Sequence, residues 1–124
     1  MFNLSFYKGK KVLITGHTGF KGTWLCKILV NAGAEVTGYS LEAPTTPNLF
    51  SLAGLENNMN SVIGDIRDFK HLYELFDATR PEIVFHLAAQ PIVRESYKNP
   101  RYTYEANVMG TVNLLECIRQ SSSV

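Results

Sequence analysis

Residues 11–22 read KVLITGHTGFKG, an apolar run followed by three glycines. The run predicts a β-strand, and the helical spacing of Phe20, Trp24 and Ile28 predicts a helix after it. A glycine-rich turn between a strand and a helix exposes the unpaired amide groups of the helix N-terminus, which bind phosphate. The stretch therefore predicts a cradle for the pyrophosphate of a dinucleotide.

Each of the three glycines has its own geometric reason. Gly16 can adopt the positive φ of a tight turn, Gly19 leaves room for phosphate against the backbone, and Gly22 allows close packing of the helix on the strand. The spacing is one residue longer between the first two glycines than in the common Gly-x-Gly-x-x-Gly fingerprint. Because three glycines so close together also suit a plain loop, the prediction depends on the strand before them and the helix after them.

The rest of the chain alternates between strand and helix patterns. These patterns predict strands at 11–15, 35–40, 61–64 and 82–87, helices at 20–32, 69–80 and 100–120, a short helix or turn at 91–98, and an irregular connection at 41–59. Gly33, Asp68 and Asn99 are predicted helix caps. The alternation indicates an α/β fold, a Rossmann-like doubly wound parallel sheet that is incomplete and binds ligands at the carboxyl ends of its strands.

Composition narrows the class of protein. The 124 residues suffice for one domain at most. The balance of 12 basic and 11 acidic residues argues against nucleic acid and favours a small-molecule partner. No apolar run approaches the roughly 20 residues that span a membrane, and the N-terminal residues lack a signal-peptide core, so we expect a cytoplasmic protein. Cys26 and Cys117 lie outside any Cys/His cluster and are predicted to be free, half-buried and without metal.

Four motifs together resemble the extended short-chain dehydrogenase/reductase family. They are the glycine turn, GDIRD at 64–68, LAAQ at 87–90 and NVMGT at 107–111. Within that family, His17, Lys21, Trp24 and residues 88–97 are similar to the subfamily of CDP-glucose 4,6-dehydratases rather than to the dTDP-glucose or GDP-mannose enzymes. The resemblance covers residues 9–120.

The resemblance implies a reaction and its cofactor. Such dehydratases use NAD to remove a hydride from C4 of a nucleotide sugar, eliminate water across C5 and C6, and return the hydride to C6. CDP-glucose would give CDP-4-keto-6-deoxyglucose, a supply reaction for lipopolysaccharide O-antigen sugars. The resemblance also implies a homo-oligomer, a dimer or tetramer, because in relatives the helix at 100–120 packs in a dimer interface.

By motif match the resemblance also implies site residues. The pyrophosphate would be held by Gly16, His17, Thr18, Gly19, Phe20, Lys21 and Gly22. Asp65 and Ile66 would meet the adenine, Leu87, Ala88 and Ala89 would line the cofactor, and Asn107 would stabilise the sheet end beside the site.

Several of these positions have structural alternatives. Asp65 also suits the start of a loop, and Ala88 and Ala89 suit close packing. Asn107 also suits a cap or kink in its helix, since its amide competes for backbone partners.

The basic and histidine side chains near the site are open to two interpretations. Lys21 stands where the helix dipole disfavours it, so either a bound anion or simple solvation would account for it. His17 suits phosphate or substrate contact, or plain exposure in the turn. His86 is predicted to be a core histidine with a satisfied ring, and His71 to lie on the surface.

Ser40 takes the place of the acidic residue that selects NAD. That residue stands about 20 positions after the glycines and bonds the ribose 2′-hydroxyl. A neutral serine does not repel a 2′-phosphate and Lys21 would attract one, so the residues alone leave NADP open. The resemblance favours NAD.

The catalytic pair of the family has no counterpart here. The family's chemistry needs a Tyr-x-x-x-Lys pair beside a Ser or Thr, in which lysine lowers the pKa of the tyrosine. Tyr7 and Lys11 have this spacing but precede the glycine turn. We expect residues 1–124 to be the N-terminal part of a dinucleotide-binding domain, without catalytic residues or a substrate domain and inactive alone. The alternatives are a non-catalytic dinucleotide-binding module and an epimerase or reductase of the same superfamily, for which Gln90 and Arg94 are the local hints about substrate.

Overall fold

A four-stranded parallel sheet forms the centre of the protein in a computed structural model that describes residues 3–124. The strands are β1 (Lys11–Thr15), β2 (Glu35–Ser40), β3 (Asn60–Ile63) and β4 (Ile83–His86), in the order β3-β2-β1-β4. This is the order of the first four strands of a dinucleotide-binding fold, with the switch point between β1 and β4. The predicted Rossmann-like sheet is confirmed, and it is incomplete.

The helices fall close to their predicted positions. They are α1 (Phe20–Asn31), α2 (Leu49–Leu52), α3 (Phe69–Thr79), α4 (Val93–Lys98), α5 (Pro100–Tyr104) and α6 (Gly110–Gln120), with 3₁₀ turns at Leu4–Tyr7 and Leu55–Asn57 and a π-helical turn at Glu105–Met109. The predicted caps are confirmed. Gly33 has a φ of +83°, Asp68 accepts from the His71 amide at 3.1 Å, and Asn99 accepts from the Tyr102 amide at 3.2 Å.

Two regions differ from the prediction. Residues 41–59 are not wholly irregular, because α2 and the turn at Leu55–Asn57 bury Phe50 and Leu55 against the sheet. The helix predicted at 100–120 is broken into α5, a π-helical turn and α6. Inside that turn Asn107 uses its side chain on a neighbouring loop, and its carbonyl accepts from the Thr111 hydroxyl at 2.7 Å.

Side chains of β1 alternate between two cores. Val12 and Ile14 pack with α1 on one face, and Leu13 packs with α3 and α6 on the other. Cys26 and Cys117 are free, as predicted, but they are fully buried rather than half-buried, because each faces the sheet from its helix.

β4 is more exposed than its apolar sequence predicts. All four of its residues are only half-buried. The strand pairs with β1 alone and forms an edge of the described sheet, so the cover expected on both faces is incomplete.

Leu114 and Leu115 offer a matched test of this packing. Leu114 is 2% exposed in the core beneath α6, whereas Leu115 is 57% exposed on the same helix. We expect Leu114→Ala to lower the free energy of unfolding by about 3 kcal/mol, since it leaves a cavity. Leu115→Ala should change it by less than about 0.5 kcal/mol. Urea unfolding followed by circular dichroism measures both, and equal losses would contradict the assigned faces of α6.

Candidate cofactor-binding site

Gly16 turns the chain at the carboxyl end of β1. Its φ is +79°, as predicted for this position. A Cβ here would lie 2.8 Å from the Ala88 nitrogen and 2.9 Å from the Leu87 carbonyl carbon. The Gly16 amide also donates to the Tyr39 carbonyl at 2.9 Å. Any larger residue would therefore separate the turn from the end of β4.

Gly22 brings the first turn of α1 onto the same backbone. A Cβ on Gly22 would overlap the Gly16 carbonyl oxygen and would lie 2.9 Å from His17 Cα. Two bonds hold this arrangement: the Thr23 amide donates to the Gly19 carbonyl at 2.8 Å, and the Thr23 hydroxyl donates to the His17 carbonyl at 3.0 Å. The close helix packing predicted for Gly22 is confirmed.

Gly19 differs from both, because the fold does not require a glycine there. Its φ is −75°, it is exposed, and the nearest atom to an added Cβ is the Gly16 oxygen at 3.4 Å. It is the N-cap of α1, and no side chain caps the helix. The first amides of α1 therefore lack intrahelical acceptors and a side-chain cap, an arrangement that fits the phosphates of a dinucleotide.

His17 does not point toward that space. Its ring is fully buried, packs edge-on against Phe50 at 5.1 Å, and fills the space left by the missing Cβ of Gly38. Nε2 lies 2.7 Å from Ser61 Oγ, and Nδ1 has no hydrogen-bond partner among the described residues. Burial lowers the pKa of His17 to about 4. The exposed position considered for this residue is wrong, and only its backbone faces the turn.

Thr18 and Ser40 join the glycine turn to the end of β2. Thr18 Oγ1 lies 2.9 Å from Ser40 Oγ and donates to the Leu41 carbonyl at 2.8 Å. Thr18 is 8% exposed, and Ser40 is half-buried. Ser40 thus stands where the sequence predicts the ribose-facing residue.

The two residues predicted to meet the adenine lie after β3. The Asp65 carboxylate accepts from the Arg67 amide at 2.9 Å and from the Arg67 guanidinium at 2.8–3.1 Å. These bonds lower the pKa of Asp65. Ile66 is buried beneath α6, where a Cβ on Gly110 would lie 2.6 Å from its Cγ2. Asp65 therefore has its acceptors largely occupied, and Ile66 offers only backbone to a ligand.

Leu87, Ala88 and Ala89 continue from β4 beside the glycine turn. Thr15 Oγ1 accepts from the Leu87 amide at 3.1 Å and from the Ala88 amide at 3.2 Å. Leu87 and Ala88 are half-buried and Ala89 is exposed. Both interpretations of the alanines are compatible with this placement, because small side chains pack here and also leave the loop open to a ligand.

Asn107 clamps the same loop from the π-helical turn. Its Oδ1 accepts from the Gln90 amide at 2.7 Å, and its Nδ2 donates to the Gln90 carbonyl at 3.1 Å. The Gln90 side chain is itself engaged with Ile92 and Thr103. Asn107 therefore ties the π-helical turn to the loop after β4, and the Gln90 side chain already has hydrogen-bond partners within the chain.

The other two histidines are also engaged with protein groups. His86 Nδ1 lies 2.7 Å from Thr15 Oγ1, and Nε2 lies 3.1 Å from Thr111 Oγ1, so its ring is satisfied as predicted. Burial lowers the pKa of His86. His71 is half-buried and packs edge-on against Tyr39 at 5.3 Å, which corrects its predicted surface position.

The first residues of α1 and the basic side chains near the loop are exposed. Phe20 is 72% exposed, and Lys21 and Arg94 are exposed. Among the described residues, 3–124, no group of three or more His, Cys, Asp or Glu side chains is arranged to hold a metal ion. The helices in that part of the chain are also too short or too polar to cross a membrane.

Comparison with known families identifies the family to which this chain belongs. A family model described as GDP-mannose 4,6 dehydratase matches residues 13–124. The chain belongs to this family. A CDP-glucose 4,6-dehydratase of Salmonella typhimurium is 53% identical to this chain over 124 residues, which cover 100% of this chain and 34% of that protein. A CDP-paratose 2-epimerase of Salmonella typhi is 37% identical over 91% of this chain and 34% of that protein.

Solved structures of relatives have the same fold. An epimerase of Methanothermobacter thermautotrophicus superimposes with a TM-score of 0.83 at 32% identity, over 96% of this chain and 34% of that one. A UDP-glucose 4-epimerase of Thermus thermophilus in complex with NAD superimposes with a TM-score of 0.79 at 31% identity, over 90% of this chain and 34% of that one. The resemblance to short-chain dehydrogenases/reductases is confirmed, and the chain spans about a third of the length of these relatives.

Arg67 is the site residue that sequence reasoning missed. Besides Asp65, it bonds Glu105 at 3.0 Å and stacks over the Tyr102 ring at 4.8 Å. The motif GDIRD contains it, but its partners Tyr102 in α5 and Glu105 in the π-helical turn are 35 and 38 positions away. Only the fold brings them together.

The buried His17 ring predicts a pH dependence of stability. The unfolded chain binds a proton at this residue near pH 6.5, whereas the folded chain does so near pH 4. Stability therefore falls as pH drops through this window, by about 3 kcal/mol in total from His17. Urea unfolding at several pH values should show a smaller loss for His17→Gln than for the parent chain. Ser61→Ala keeps the ring and should keep the slope; equal slopes for all three proteins would rule out His17 as the source.

Proposed function

We propose that the chain is the NAD-binding portion of a nucleotide-sugar 4,6-dehydratase, a lyase, and that its substrate is CDP-glucose. The observation that carries the proposal is Gly19. The fold explains the glycines at 16 and 22, whereas a Cβ at 19 would meet no atom closer than 3.4 Å, and Gly19 begins a helix whose first amides no side chain caps. A pyrophosphate fits such an arrangement.

Each part of the site has a distinct task in this proposal. The backbone of Gly16–Gly22 would bind the pyrophosphate, and Ser40 would face the adenosine ribose. Asp65 and Ile66 would border the adenine. The loop that Asn107 clamps, Leu87–Ala89, would line the rest of the cofactor. NAD supplies reversible hydride acceptance when bound, and the residues of this chain position it.

Similarity supports the choice of substrate. The relative at 53% identity is named for CDP-glucose, whereas the CDP-paratose epimerase and a GDP-mannose dehydratase of Vibrio cholerae are 37% and 34% identical. We therefore place the protein with the dehydratases rather than the epimerases. Because a nucleotide sugar and NAD are cytoplasmic solutes, we also propose that the reaction takes place in the cytoplasm.

An exposed apolar stripe supports a homo-oligomer. Val108, Val112 and Leu115 lie on one side of the segment around α6 and are 48–57% exposed. Large exposed apolar patches mark interaction surfaces. We propose that this stripe packs against a second copy of the protein.

Gly19→Val tests the cradle. The branched side chain would occupy the phosphate space, so NAD binding measured by calorimetry should fall by at least about 100-fold. The fold should persist, because the nearest atom stands off at 3.4 Å. Asn31→Val places the same side chain at the far, exposed end of α1 and should bind NAD like the parent chain. Unchanged affinity in Gly19→Val would remove the reason for placing NAD here.

No Tyr-x-x-x-Lys pair follows the glycine turn in these 124 residues, which predicts that this chain alone does not turn over substrate. Purified chain incubated with NAD and CDP-glucose should form no 4-keto sugar, because no phenolate is positioned to take the sugar hydroxyl proton. The full-length Salmonella typhimurium CDP-glucose 4,6-dehydratase serves as the positive control. Product formation by the chain itself would contradict the prediction.

A further inference from the structure

The hydrogen bonds at Ser40 have a fixed direction. Thr18 has one hydroxyl proton, and the Leu41 carbonyl, which can only accept, takes it at 2.8 Å. The 2.9 Å contact between Thr18 and Ser40 must therefore be a bond that Ser40 donates. Ser40 Oγ has no further proton, and it retains lone pairs that can accept.

This direction gives a neutral serine the behaviour of an acceptor. In dinucleotide-binding folds a carboxylate at this place accepts from the ribose 2′-hydroxyl. Ser40 can accept from the same hydroxyl. A 2′-phosphate is mostly without a proton at neutral pH, since its second pKa is about 6, and it would present acceptor oxygens to an acceptor.

An acidic cleft beside Thr18 also disfavours a 2′-phosphate. A cleft of about 670 Å³ lies between β3 and the segment that follows β2, and Thr18 and Ser61 line it. Glu42 and Glu56 also line it, and its described lining includes no Lys, Arg or His. Lys21 is the residue that, from the sequence alone, would attract the 2′-phosphate of NADP. It does not line this cleft. Ser40 does not itself line the cleft, but Glu42, two residues after it in the chain, does, so a 2′-phosphate displaced toward the cleft would meet negative charge without a countercharge in the lining.

We propose that the Ser40–Thr18 pair is the specificity-determining element that selects an unphosphorylated adenosine ribose, and thus NAD over NADP. The proposal rests on the proposed function of the turn as a dinucleotide cradle. It adds the residue that distinguishes NAD from NADP. The reason is that Thr18 Oγ1 accepts the only hydroxyl proton of Ser40, so Ser40 can only accept from a ligand. The serine therefore substitutes for the acid that the sequence lacks.

The test compares two affinities within each protein. Calorimetry with NAD and with NADP gives the ratio of dissociation constants, and effects of a variant on the shared pyrophosphate contacts cancel in that ratio. The parent chain should bind NAD at least about tenfold more tightly than NADP. Ser40→Ala removes the acceptor and should weaken NAD about fivefold with little effect on NADP.

Two variants of Thr18 test the direction of the bond. Thr18→Val removes the acceptor that holds the Ser40 proton, so Ser40 can donate to a phosphate and the preference for NAD should shrink toward equality. Thr18→Ser keeps the hydroxyl and should keep the preference. Thermal melts of each variant confirm folding.

The outcomes separate this inference from the function on which it rests. Binding of neither dinucleotide by the parent chain would contradict the proposed function and this inference with it. Equal binding of NAD and NADP would leave the cradle intact and overturn the inference. An unchanged ratio in Ser40→Ala would likewise overturn it.

Discussion

Contact between bare backbones at Gly16 and Gly22 is the constraint on which the rest of the site depends. At Gly16 the turn after β1 meets the end of β4, and at Gly22 the first turn of α1 meets the Gly16 carbonyl. A single methyl group at either place would force these elements apart. Because the elements meet so closely, the free amides of α1, the loop after β4 and the end of β2 converge on one edge of the sheet. The fold thus requires two of the three glycines, and the third leaves room for a ligand.

A chain of side-chain bonds holds the edge strand in this arrangement. The Thr111 hydroxyl donates to the Asn107 carbonyl, so it must accept from His86 Nε2. His86 Nδ1 is then the acceptor for the Thr15 hydroxyl, whose oxygen receives the amides at the start of the loop after β4. Each hydroxyl and ring proton in this network has one assigned acceptor, and the Leu87 amide is shared between the Thr15 carbonyl and Thr15 Oγ1. β4 pairs with one strand only, and this network supplies at its carboxyl end the order that a second neighbour would otherwise give.

Local patterns sufficed for the strands, the helix caps and the glycine turn, because apolar spacing and cap chemistry act over a few residues. The failures involve distant partners. The His17 ring turns inward because Gly38, on β2, leaves space for it and Ser61, on β3, bonds it. Phe50 and Leu55 order the connection before β3 through burial against the sheet, which short-range propensity does not encode. The π-helical turn likewise follows from the bonds of Asn107 to Gln90 rather than from helix propensity.

The site and the surface of this chain differ in how complete they are. Bonds among residues 11–113 position the glycine turn, Ser40, the segment after β3 and the clamped loop, so the candidate site is assembled from within the described chain. By contrast, β4 is half-exposed and the stripe on α6 is uncovered. α6 buries Leu114 and Cys117 on one side and exposes Val112 and Leu115 on the other. The helix therefore has two apolar faces, of which only one packs against the protein core. Cofactor binding at this site would therefore depend on contacts within this chain, whereas one apolar side of α6 and part of β4 lie exposed.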